Sequence, residues 1–288
     1  MKRKWLVVML IVMTAILLAA CGDGDKKEPS SSSNEGGNTN NKEAGGQFRI
    51  GMEGGYAPFN WTQQDDANGA IKINDNSEYA GGYDVQMAKK IAEGLGKELV
   101  VLKFEWDGLV PALQSNKIDA IIAGMSPTEE RKKTIDFSEN YYTSDFVMVI
   151  KKGSKYENAK SIQDFSGAKI TSQLNTTNYT VIDQIKGVKK QTAMDTFPAM
   201  RVAVEAGKID GYVAERPEGI SVAAANDKLT YVKFEQGFDT DIADTSIAVG
   251  LRKGDANLEK INEILKGISE DDRQKIMEEA IHQQPAAQ

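Results

Sequence analysis

Two stretches of this 288-residue chain repeat one order of elements, which points to an architecture built twice, the other reading being that helix-to-strand turns of any α/β fold look alike. Residues 106–124 read WDGLVPALQSNKIDAIIAG and residues 197–215 read FPAMRVAVEAGKIDGYVAE. Aligned on Lys117-Ile118-Asp119 and Lys208-Ile209-Asp210, they lie 91 residues apart. Leu109, Ala112 and Leu113 then fall opposite Met200, Ala203 and Val204, the three- and four-residue spacing of a short helix with one apolar face. Each helix is followed by a turn and an apolar strand. The chain around the first stretch continues the alternation. Residues 48–52 and 99–102 are strand candidates, and residues 118–123 read as a buried strand. Residues 109–115 form a short helix. Residues 84–96 form a longer one, apolar at Val85, Ala88, Ile91, Ala92 and Leu95 and ending on Gly96. Strands alternating with helices imply βαβ units and a mainly parallel sheet. The fold class is therefore α/β, with two lobes of similar design.

Two apolar strands, 145–152 and 246–251, flank the second stretch. They predict two chain crossings between the lobes, a two-stranded hinge. The first lobe then spans 47–144 and 247–288, and the second spans 145–246. Residues 255–282 read as helices returning to the first lobe.

The chain ahead of residue 47 belongs to neither lobe. Lys2, Arg3 and Lys4 precede an apolar run over 5–20 that is too short for a comfortable membrane span and ends in small residues, as a cleaved signal peptide (1–20) does. The only cysteine, Cys21, follows Leu18-Ala19-Ala20 and resembles the acylated cysteine of a lipobox. The expectation is a lipid-anchored protein on the extracytoplasmic face of the cell membrane. An ordinary signal peptide, or an uncleaved anchor helix with an incidental cysteine, is the other reading. Residues 21–46 are rich in Gly, Ser and Asn and carry no aliphatic residue larger than alanine and no aromatic, so they read as a disordered tether.

Composition narrows the chemistry. A net charge of −7 without a basic stripe argues against nucleic acid as a partner. The only histidine, His282, stands near the C-terminus, which removes Ser-His-Asp and Cys-His machinery and most zinc sites. No phosphate-binding glycine motif is present. Asp239, Asp241 and Asp244 are spaced loosely like calcium ligands but lack the loop glycine and the closing glutamate. No metal and no cofactor is expected, and a hydrolase or nucleotide enzyme is poorly supported.

The run Gly124-Met125-Ser126-Pro127-Thr128-Glu129-Glu130-Arg131 follows a strand and opens a helix. Ser126-Pro127-Thr128-Glu129 reads as a capping box with proline at the first helical position. A helix start of this kind favours an anion, and the planar guanidinium of Arg131 matches a carboxylate. The same residues also fit a solvated charge run, Arg131-Lys132-Lys133 balanced by Glu129 and Glu130. In the second lobe Asn175-Thr176-Thr177-Asn178 opens a helix predicted to run to Ile185, with more small polar residues than capping needs. Glu215 ends the second strand opposite Gly124. A carboxylate site in one lobe and an ammonium site in the other fit a zwitterion. Tyr56, Phe59, Trp61 and Trp106 are aromatics able to wall the space between.

At these residues the chain resembles the amino-acid-binding proteins of ABC importers, solute-binding protein family 3, with the type II periplasmic-binding-protein fold. The matching runs are Tyr56-Ala57-Pro58-Phe59, Gly82-Tyr83-Asp84-Val85, Leu109-Val110-Pro111-Ala112-Leu113, Lys117 through Arg131, and Asp136-Phe137-Ser138-Glu139-Asn140-Tyr141-Tyr142. The resemblance implies two lobes closing on one amino acid. It implies that Arg131 pairs with the ligand α-carboxylate, assisted by Gly124 and Ser126. Thr177, with Thr176 beside it, contributes from the other lobe, and Glu215 takes the α-ammonium. Tyr56 and Trp106 sandwich the ligand side chain, and Glu53 faces it. The implied partners are an amino acid and an ABC permease, and the protein is expected to be a monomer. Three departures stand out. Residues 65–79 are an insertion, Asn175 replaces a glycine, and Glu215 replaces a common aspartate. Glu53, Glu215 and the acidic balance favour a basic ligand, arginine or lysine. Glutamine or another polar amino acid is the alternative, because glutamine binders also carry an acid at the Glu53 position. A dehydratase-type enzyme on the same fold is the remote one.

Overall fold

Gln47–Met52 forms the first strand and pairs in parallel with Glu98–Lys103 on one side and Ala120–Ile121 on the other. Ser246–Leu251 then pairs antiparallel with Ala120–Ile121, and Asp136–Thr143 antiparallel with Ser246–Leu251. Four of the five strands of this sheet therefore run one way. The second sheet repeats the plan. Lys169–Thr171 lies between Lys189–Lys190 and Gly211–Glu215 in parallel, and Phe146–Lys151 is antiparallel to both Gly211–Glu215 and Leu229–Val232. In each sheet the single reversed strand is one of the two that flank the second lobe's sequence. The structure, a computed structural model, describes residues 45–285. The signal segment, Cys21 and all but the last two residues of the expected tether lie outside the described residues. Gly46, the last of those two, accepts a hydrogen bond from the Glu98 N–H at 3.0 Å and so belongs to the first sheet.

The internal repeat is physical. Asp119 donates its N–H to the Arg49 carbonyl at 2.7 Å, and its carboxylate accepts the Arg49 N–H at 2.9 Å. Asp210 does the same with Lys169, at 2.8 and 2.7 Å. Both turns pass through a left-handed residue at the same place, Asn116 (φ 59°) and Gly207 (φ 68°). The aspartate of each Lys-Ile-Asp run is thus a clamp that sets the register of the third strand against the first.

The helix Tyr83–Leu95 forms because Val85, Met87, Ala88, Ile91 and Ala92 share one face, and that face is buried. Each larger side chain among them contributes about 1.5–3 kcal/mol by leaving water. Gly96 (φ 67°) stops the helix, its N–H reaching the carbonyls of Ala92 and Glu93. The insertion has a defined fate. Ile71–Lys72 becomes the edge of a small four-stranded sheet with Tyr79–Gly81, Asn60–Gln63 and Gly55–Tyr56, and the Asn74 N–H bonds to the Val101 carbonyl at 2.8 Å.

The two crossings run side by side. The Ser144 N–H bonds to the Thr245 carbonyl at 3.0 Å, and the Thr143 and Ser246 hydroxyls meet at 3.1 Å. The C-terminal helices are Leu258–Lys266 and Glu270–Gln283. They do not serve the first lobe alone, because the Gln284 amide donates to the Ser221 carbonyl of the second at 2.7 Å.

Candidate functional site

Three adjacent parallel strands of the first sheet end on one side, and each delivers a segment to the same cleft. Gln47–Met52 leads to Glu53 and Tyr56, Glu98–Lys103 to Trp106, and Ala120–Ile121 to Gly124 and Ser126. The second sheet faces it in the same way, with Gln173, Thr176, Thr177 and Asn178 after Lys169–Thr171 and Glu215 at the end of Gly211–Glu215. Carboxyl ends of strands are where open α/β sheets bind ligands. Tyr56, Trp106, Gly124, Ser126 and Arg131 line the cleft from one lobe, and Gln173, Thr176, Thr177, Asn178, Phe197 and Glu215 line it from the other. The enclosed space is about 10 Å³, near that of a single water, so the lobes are closed on each other.

Arg131 is the central cation. Its Nη1 donates to the Ser126 carbonyl at 2.9 Å and its Nη2 to the Asn175 carbonyl of the other lobe at 3.0 Å, and the guanidinium lies 5.1 Å over the Trp106 ring. Loss of water lowers its pKa to about 10, with the Glu215 charge acting in the opposite sense, so it remains charged at neutral pH. The expected capping box is absent. Thr128 is the cap, its hydroxyl accepting the Arg131 N–H at 3.3 Å, and the helix is only Glu129–Lys132. Proline therefore precedes the helix, and the Ser126 hydroxyl is free to donate to the Asp244 carbonyl at 3.1 Å. Gly124 is left-handed (φ 64°), and a Cβ there would sit 2.9 Å from the Tyr56 ring.

In the second lobe the expected helix to Ile185 is two short pieces, Thr177–Thr180 and Val181–Gln184. Thr176 does not cap with its side chain. It donates to the Gln173 carbonyl at 2.6 Å and so braces the loop. Asn175 is left-handed (φ 57°), which explains how it stands where glycine is usual: asparagine tolerates that region better than other side chains. Its amide donates to the Asp107 carboxylate across the cleft at 2.9 Å.

Two buried carboxylates complete the site. Glu215 starts the helix Arg216–Ala225 without capping it, and its carboxylate accepts from the Tyr56 hydroxyl and from the Asn178 amide, the latter at 3.0 Å. Burial raises its pKa, and these bonds oppose the rise. Glu53 lies beside the lining. One oxygen accepts from the Gln173 amide at 2.8 Å and the other is buried without a partner. Desolvation pushes its pKa up to about 7, the Gln173 bond opposes, and the charges of Glu105, Glu218 and Asp84 add to the rise.

The structure thus brings together Tyr56, Trp106, Gly124, Ser126, Arg131, Thr176, Thr177 and Glu215, with Glu53 behind Gln173. Of the other aromatics, Phe59 is core, packed 5.0 Å from the Tyr56 ring, and Trp61 is buried with its indole N–H on Gln63. Asp241 and Asp244 cap a helical turn between themselves. Sequence reasoning missed Gln173, Asn178 and Phe197. Phe197 stacks on Tyr56 at 4.2 Å, and the 91-residue repeat had already aligned it with Trp106.

Known proteins resemble this chain in sequence and in fold. A probable histidine-binding protein of Campylobacter jejuni is 33% identical over 194 residues, 66% of this chain and 68% of that one. The arginine-binding extracellular protein ArtP of Bacillus subtilis is 28% identical over 227 residues, 75% of this chain and 78% of its own. Among solved structures, an amino acid ABC transporter substrate-binding protein from Streptococcus pneumoniae Canada MDR_19A, bound to L-arginine, superposes with a TM-score of 0.71 at 26% identity, covering 82% of this chain and 94% of that one. Among the described residues no helix is long and apolar enough to cross a membrane. Residues 48–283 match the bacterial extracellular solute-binding proteins, family 3, and the chain belongs to that family.

Proposed function

We propose that this protein is an extracytoplasmic receptor that binds one basic amino acid, arginine or lysine, between its lobes and delivers it to an ABC importer. The observation that carries the choice of ligand is Glu53, a buried carboxylate with one oxygen unpartnered, behind Gln173 and beside the cleft that Arg131 and Glu215 line. The α-carboxylate goes to Arg131 with Gly124, Ser126 and Thr177, and the α-ammonium to Glu215, where it takes over the bond now made by the Tyr56 hydroxyl. A cationic side chain then reaches Glu53 and relieves its desolvation. Tyr56 and Trp106 flank the aliphatic stem. The relatives named for histidine and arginine, and the arginine-bound neighbour, support this reading. No chemistry on the ligand is proposed.

The rest of the assignment follows the same reading. Residues 1–20 are the signal peptide, Cys21 carries the lipid, and the anchored protein presents its lobes (47–144 with 247–288, and 145–246) as a monomer to a membrane permease. A second reading has one observation in its favour. Glu53 with a pKa near 7 can hold a proton at neutral pH and donate it to the side-chain carbonyl of glutamine.

A thermal-shift panel of the full chain against the proteinogenic amino acids separates the readings. A ligand that binds only the folded state adds about 2.7 kcal/mol at a hundredfold excess over its Kd. A shift with arginine or lysine and not with glutamine supports the basic ligand. A shift with glutamine alone replaces it with the second reading, and no shift with any amino acid overturns both.

A further inference from the structure

Asp84 is fully buried in the first turn of the helix Tyr83–Leu95, and no lysine or arginine among the described residues pairs with it. A buried carboxylate without a cation is costly, and an apolar side chain would fill the same volume more cheaply. Its surroundings show what the charge does. One oxygen accepts from the Tyr141 hydroxyl at 2.7 Å and the other from the Asn60 amide at 2.8 Å. Asn60 cannot turn its amide round, because its own oxygen accepts the Gly54 N–H at 2.8 Å. Both partners thus present a donor, and an asparagine at this place would set an N–H against one of them. The relay leads to the cleft, because Gly54 joins Glu53 to Tyr56.

We propose that Asp84 is a positioning residue of the cleft: through Asn60 and Gly54 it sets the segment 53–56, which carries Glu53 and Tyr56 to the ligand-facing side. This rests on the amino-acid reading above for its ligand, but the placement of that wall is a property of the free protein.

The test uses the full chain with D84N and with the reversed pair N60D/D84N. In the pair, a carboxylate at position 60 accepts from Gly54 and from the new amide at position 84, whose oxygen still takes the Tyr141 proton. Two readouts are made: amide hydrogen exchange at Gly54 without ligand, and L-arginine affinity by calorimetry. D84N is expected to lose about tenfold protection at that amide and about tenfold in L-arginine affinity, and the reversed pair to recover most of each. Unchanged exchange at Gly54 in D84N overturns the proposal. So does a lower Tm with the L-arginine Kd within about twofold of the unaltered chain, since that is a merely structural role. If the unaltered chain binds no amino acid, the ligand reading falls while the exchange data still decide the positioning. If D84N does not fold, Y141F, which removes one donor and keeps the carboxylate, gives the same test, with a loss of about threefold expected in both readouts.

Discussion

The Gln173 amide of the second lobe donates to the Glu53 carboxylate of the first across 2.8 Å, leaving the other Glu53 oxygen buried and unpartnered. That asymmetry ties cleft closure to titration. Glu53 has a folded pKa near 7 against an ordinary 4.5, so the folded state holds the proton more tightly than the unfolded one. Its stabilising contribution is complete below pH 4.5 and is lost as pH rises through 7. The shift corresponds to about 3 kcal/mol. Asp84, raised to about 6 by burial, acts in the same sense at lower pH. The ligand-free Tm is therefore expected to fall between pH 5 and 7.5, and Glu53→Gln to flatten the upper part of that fall. An unchanged slope in Glu53→Gln refutes the assignment.

The same group predicts the pH dependence of binding. A guanidinium or ammonium beside Glu53 favours the carboxylate, so binding a basic amino acid releases a proton below pH 7. Arginine affinity should rise with pH and level off above 7. Calorimetry in buffers of different ionisation enthalpy measures the release directly. Glu53→Gln should lower arginine affinity by about 2–5 kcal/mol, the range for removing one partner of a buried charge pair, and leave glutamine far less affected.

Arg131 meets its partners through three features that lysine lacks: a fork reaching the Ser126 and Asn175 carbonyls together, a flat face on Trp106, and a remaining edge for a carboxylate. Arg131→Ala is expected to abolish binding of every α-amino acid, and Arg131→Lys to weaken it by about 2–4 kcal/mol because the ammonium cannot serve both carbonyls and the ligand. Equal losses for all ligands in a titration series would mark the α-carboxylate contact. A loss confined to basic ligands would place Arg131 elsewhere.

The doubled architecture was legible because the repeat is enforced by local chemistry. Asp119 and Asp210 each need a backbone N–H from the neighbouring strand, so their spacing from helix and strand is fixed. Glu215 and Arg131 were legible for a related reason: one ends a strand and the other lies in the first turn of a helix, where sequence signals are strong, and Gly124 stands between that helix and the strand Ala120–Ile121. Gln173 was not, because its role comes from Glu53, 120 residues away, and nothing local distinguishes it from a polar loop residue. The misplaced cap has a similar origin. Ser126 and Thr128 both suit a helix start, and the choice of Thr128 follows from Ser126 bonding to Asp244 far along the chain.

Asn175 offers a test of closure that leaves the lining intact. Its amide spans the cleft to Asp107, and its left-handed backbone accepts glycine without strain. Asn175→Gly therefore removes the bond alone, whereas Asn175→Ala adds backbone strain. A net hydrogen bond of about 0.5–1.5 kcal/mol predicts roughly a 2- to 12-fold weaker affinity, mainly through faster release. Combining Asn175→Gly with Asp107→Ala should cost no more than either single change. Additive losses in that double-mutant cycle would show that the two residues do not act as a pair.

Beneath the second-lobe wall, Glu218 is fully buried and accepts from Arg201 at 3.1 and 2.6 Å and from the Tyr212 hydroxyl at 2.8 Å. The ion pair holds the helix Phe197–Glu205 to the helix Arg216–Ala225, and these carry Phe197 and Glu215 at their starts or immediately before. Glu218→Ala strands a buried guanidinium, and its cost should be about 3–5 kcal/mol in urea unfolding. Removing both charges with Arg201→Met and Glu218→Leu leaves only the Tyr212 hydroxyl unpaired, so the double variant should be more stable than Glu218→Ala alone. The opposite order would mean that the pair contributes net stability through its own attraction, in excess of the desolvation it costs. It would then make the second-lobe wall sensitive to any loss of either charge.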